Sequence, residues 1–190
     1  MLPLLPAVAR AQGDRPTKVH ATDIAVNDIE ELLGRCRRDG RRHWTQEDRL
    51  GIKRVWIGFD ANTPTAYRPD GDGGLHFEFL PTRALRLPPA AFQERTPPPL
   101  QGDGRFLGLA ARTYLVENLD AVLANIAVGF DWEPDQVVDI AADGSRRARL
   151  GFAIPSSPEL HLVEPRGTTE DAQALRQWGT GAWSITLRVD

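Results

Sequence analysis

The sequence predicts an α+β protein of two tandem βαβββ modules, on two observations. One amphipathic helix pattern occurs twice, with the same cap and spacing, and turn-separated strand candidates follow each copy. In the first copy Asp28 precedes Ile29, Leu32, Leu33 and Cys36, which fall on one helix face, and Gly40 stops the run. Glu31, three residues past Asp28, completes a capping-box signature. In the second copy Asn118 precedes Leu119, Val122, Leu123 and Ile126, with Gly129 as the expected stop. "TDIAVN" and "ARTYLVE" read as the strands that enter the two helices.

After the first helix the strand candidates are "IKRVWIGF", "PTAYR" and "LHFEFL"; after the second they are "DQVVDIA", "RRARLGFAI" and "ELHLVE". These define an amino-terminal extension at 1–18, a first module at 19–87, a Pro/Gly-rich linker at 88–104, a second module at 105–165, and a helix and strand at 166–190. The tail "AWSITLRVD" reads either as the first strand of a further module or as a closing or swapped strand. In the extension, "ARA" before Gln12 has the look of a leader cleavage site. It has no basic start and its apolar run is broken by Pro3 and Pro6, which favours a flexible or strand-exchanged amino terminus.

With 190 residues, 41% of them hydrophobic and 26% charged, the chain can bury an ordinary core. A net charge of -3 gives no electrostatic reason to expect nucleic acid or an anionic membrane as partner. No apolar run approaches a transmembrane length. Cys36 is the single cysteine, so no intrachain disulfide forms, and a reducing, cytoplasmic setting is expected.

The repeated βαβββ order, with "VND" and "VEN" opening the helices and "HLVEPRG" closing a module, resembles the vicinal oxygen chelate superfamily of glyoxalases, extradiol dioxygenases and bleomycin-resistance proteins. The resemblance implies that the modules pair their curved mixed sheets into a cup with the helices outside. It also implies a small organic molecule as ligand, and a homodimer. In metal-using members, His, Glu or Gln from first and last strands grip a divalent ion; imidazole and carboxylate suit Zn, Fe, Ni or Mn.

By strand alternation His76 and Glu78 share one face and Phe77 and Phe79 the other; His161 likewise lies opposite Leu160 and Leu162. If the apolar faces lie under the helices, His76, Glu78 and His161 look into the cup. On the resemblance, His161 and Glu78 or His76 take last-strand ligand positions. The first-strand positions fall on Ala21 and Ala111, which cannot bind a metal; His20 is in reach only if a bulge intervenes. The candidate metal set is therefore His161, Glu78 and His20. Without a metal, the same histidines would hydrogen-bond in a wet groove. Trp56 and Tyr67 are the aromatic residues expected at a ligand. "GRRHWTQED" reads as a solvated loop holding His43, with Arg38, Arg41 and Arg42 as charged surface or anion contacts.

The expected function is a glyoxalase-like small-molecule-binding protein, with a cleft between its modules lined by Trp56, Tyr67, His76, Glu78 and His161 and no complete metal centre. The alternative is a metal-dependent lyase, isomerase or dioxygenase acting on a substrate with vicinal oxygens.

Overall fold

The computed structural model describes residues 22–58, 74–85, 102–140 and 142–190. Both predicted helices form with the predicted caps. Asp28 accepts the Glu30 and Glu31 amides at 3.0 Å and opens α1 (Ile29–Arg38), which buries Ile29, Leu32, Leu33 and Cys36. Burial pushes the Cys36 thiol up to about 11, so it packs as a small apolar side chain. Asn118 accepts the Ala121 amide and opens α2 (Leu119–Phe130).

Gly129 does not end α2. The helix runs one residue further and closes on Asp131, which takes the left-handed conformation at φ 52°. The glycine instead makes room for a neighbour: a Cβ there would lie 2.5 Å from the Arg41 guanidinium carbon. Arg41 is not the surface charge expected. Its side chain is 9% exposed and its guanidinium bonds the Asn125 side chain and, at 3.0 Å, the Asn125 carbonyl. It thereby ties the end of the first helix to the second.

The first sheet contains β1 (Thr22–Val26), β2 (His43–Glu47), β3 (Lys53–Ile57) and β4 (Phe77–Pro81), in the order β1-β4-β3-β2. The segment with His43, expected as a loop, is strand β2. It is held by cross-strand pairing of His43 with Ile57 and Trp44 with Trp56. Its polar sequence hides this, because the pairing partner and not its own composition supplies the apolar surface. "PTAYR", with Tyr67, lies outside the described residues, as do His20 and Ala21.

The second sheet contains β5 (Phe106–Leu115), β6 (Gln136–Ile140), β7 (Ser145–Leu150), β8 (Glu159–Glu164) and β9 (Gly181–Val189), in the order β6-β7-β8-β5-β9. The strand before each helix pairs parallel with the third strand after it, β1 with β4 and β5 with β8, and the two registers match. Asp23 stands beside Glu78 as Thr113 stands beside His161. The tail strand β9 lies antiparallel on β5 at the edge of the sheet, and the Asp190 carboxylate accepts the Gly102 amide at 3.1 Å.

Helices α1 and α2 touch each other, and the helix-bearing faces of both sheets join one core. Val55, Phe77 and Phe79 enter it from the first sheet, and Tyr114, Ala148, Leu160 and Leu162 from the second. Thr22 and Tyr114 bond through their hydroxyls within it. A third helix, α3 (Glu170–Trp178), is capped by Thr169. It belongs to a smaller cluster with Leu115, Val163 and Trp183, on the face of the second sheet that also carries His161.

Candidate functional sites on the two polar sheet faces

Alternation places Phe77 and Phe79 in the core, so Glu78 faces away from it. Register then builds a row across the first sheet: Asp23 on β1, Glu78 on β4, Trp56 on β3 and Trp44 on β2. Glu78 is 8% exposed, and a carboxylate that dry needs partners. Arg54 donates to Oε1 at 2.7 Å and the Trp56 indole N–H to Oε2 at 3.0 Å. Trp56 in turn stacks on Trp44, ring centroids 4.6 Å apart.

Asp23 is the exposed end of this row, and partial burial, then the charge of Glu78, holds its carboxyl above the usual carboxylate range against Arg54 and Arg112. The native state thus binds the Asp23 proton more tightly than the unfolded chain does. Stability from this group is complete below the unfolded value of 3.8 and is lost as pH rises through the raised folded value. Asp23→Asn should therefore be more stable than the parent at pH 7, with the gain narrowing below pH 3.8. Urea melts at both pH values test this; an equal gain at both would assign it to packing.

On the second sheet His161 donates through Nε2 to the Glu159 carboxylate at 2.8 Å. Arg149 clamps the same carboxylate with Nε at 3.1 Å and Nη2 at 2.6 Å. These bonds, Arg149 first and His161 second, hold the Glu159 carboxyl below its usual value. His161 is thus a member of a polar triad with Glu159 and Arg149.

The expected residues are brought together only in part. Trp56 and Glu78 meet. His76 precedes β4 in the left-handed conformation, φ 55°, outside the regular alternation. Glu78 and His161 belong to different sheets, each on a face turned away from the shared core. Among the described residues, no three His, Cys, Asp or Glu side chains stand where one ion could take all three. Glu78 and His161, on different sheets, do not fit one divalent ion, and His20 lies outside the described residues.

Sequence reasoning missed Asp23, Arg54, Arg149 and Glu159, and set Trp44 aside. The equal spacing of Asp23 and Thr113 from their helix caps was a readable signal, since it puts both beside the last-strand positions of Glu78 and His161.

The two halves of the chain each run βαβββ and share one core. The chain's structural likeness to a mutant of 4-hydroxymandelate synthase from Streptomyces coelicolor has a TM-score of 0.56 at 13% identity, over 91% of this chain and 50% of that one. A methylmalonyl-CoA epimerase from Mycobacterium tuberculosis aligns at TM-score 0.40 and 20% identity, over 48% of this chain and 61% of that one. A glyoxalase family protein from Enterococcus faecalis aligns at TM-score 0.39 and 12% identity, over 77% and 97%. The chain thus spans half the length of the synthase. No family profile and no curated protein sequence matches it. Among the described residues no helix is long and apolar enough to cross a membrane.

Proposed function

We propose that the chain binds a small organic molecule on the polar face of its first sheet, without a metal centre of its own. The observation that carries this reading is the row Asp23–Glu78–Trp56–Trp44. It offers a stacked indole wall for a planar ligand, beside an exposed carboxylate and a guanidinium. Glu78 fixes this surface by holding Arg54 and the Trp56 ring at once. His161, clamped through Glu159 and Arg149, is a second polar contact point on the other sheet.

A homodimer that brings the polar faces of two copies together would form a cleft between them. The buried Cys36 fits a reducing cytoplasm.

Elemental analysis of protein purified without added ions should find no stoichiometric Zn, Fe, Ni or Mn, and a chelator should leave the melting temperature unchanged. In a thermal-shift screen of planar aromatic compounds, hits should stabilise the parent and not Trp56→Ala. A near-stoichiometric metal that is lost in His161→Ala would replace this reading with the metal-dependent lyase, isomerase or dioxygenase.

A further inference from the structure

Strand register fixes which charges share the polar face of the first sheet. Beside the row of Asp23, Glu78, Trp56 and Trp44, alternation puts Ala25, Leu80, Arg54 and Gln46 on the same side. These positions carry two carboxylates against one guanidinium, and that guanidinium is taken by Glu78 at 2.7 Å. Arg112, the other cation near Asp23, donates to the Thr22 hydroxyl at 3.2 Å, and Thr22 points to the opposite side of the sheet. The exposed Asp23 carboxylate takes no hydrogen bond or ion pair among the described residues. Burial first, and then the Glu78 charge ahead of either guanidinium, keep its carboxyl above the usual range. Negative charge is therefore left uncompensated at this edge of the row.

The indoles carry the same bias. An aromatic face is electron-rich and attracts cations. Arg41 lies 5.8 Å from the centre of the Phe130 ring, yet among the described residues no guanidinium or ammonium covers Trp44 or Trp56. Both indoles are partly exposed, and Glu78 fixes the Trp56 ring by its N–H edge, which leaves the ring faces to stack. A neutral planar molecule would gain from stacking alone. An anion would meet Asp23 and Glu78 with Arg54 already taken.

The geometry points to a planar aromatic cation as the ligand of this face, its ring on the Trp44 and Trp56 indoles and its positive charge toward Asp23. This assignment rests on the proposed small-molecule site and narrows its ligand to one charge class.

The Trp56 indole N–H, donated to Glu78, reports on occupancy by NMR. At pH 7.5, titration with N-methylquinolinium should move that signal to saturation, with binding about tenfold tighter than that of quinoline, which is neutral there. The anion 1-naphthoate should bind more weakly than either. Asp23→Asn, expected to be more stable than the parent at neutral pH, keeps both indoles and should cut the preference for the cation over quinoline about threefold, the scale of an exposed ion pair. Quinoline or 1-naphthoate binding as tightly as the cation, or an unchanged preference in Asp23→Asn, would overturn the charge assignment and leave the planar-ligand reading standing. A Trp56 signal unmoved by all three compounds would remove both.

Discussion

Phe77→Ala is expected to lower the free energy of unfolding by about 3–5 kcal/mol, the largest loss of any single truncation proposed for this chain. Phe77 is fully buried, and its ring meets Phe79 at 5.9 Å, Tyr114 at 6.0 Å and Trp132 at 6.4 Å. Phe79 is a neighbour on β4, but Tyr114 and Trp132 belong to the second half of the chain. Truncation therefore leaves a cavity where the two sheets share their core, and close-packed neighbours relax only partly into such a space. The loss should appear as one cooperative urea transition moved to lower denaturant. A biphasic curve, with the later phase unmoved, would mean that the halves are stabilised separately and that the shared core contributes little.

Glu164→Ala should cost about 1–3 kcal/mol, the scale of leaving a buried amide without its acceptor. The residue is 4% exposed. Its Oε2 accepts the Leu119 amide at 2.8 Å, at the start of α2, while Oε1 pairs with Arg166 and Arg146 approaches to 3.9 Å. Alanine would strand a buried helix-end amide, whereas the exposed Arg166 would turn to water. Glu164→Gln retains an acceptor for Leu119 and should lose less. Urea unfolding of both variants decides the matter. If alanine costs no more than the ~1 kcal/mol of an exposed ion pair, Glu164 contributes as a surface charge and not as a helix anchor.

Glu164 and Glu159 flank His161 in one short stretch, and they show how far the sequence could be read. Alternation there correctly separated Leu160 and Leu162 from His161. It could not say that Glu159 would be clamped by Arg149, because that bond depends on the β7–β8 register. It also could not say that Glu164 would reach the start of α2, in a bond that links residues 45 apart in the chain. Strand β2 was missed for a related reason: its five residues carry no apolar alternation, and the partner strand makes it a strand. The site was less legible than the fold, since its key row joins one residue from each of four strands.

By itself the sequence determined the first two helices, their caps and the strands that enter them. Those depend on spacings within a few residues, where a 3.6-residue period and a cap side chain act locally. Only the tertiary structure decided that Asp23 stands beside Glu78, that Trp56 bonds Glu78 and stacks on Trp44, and that Glu78 and His161 sit on separate sheets rather than about one ion. Strand register and sheet packing follow from how two distant apolar faces fit together, and that fit is a property of the assembled core.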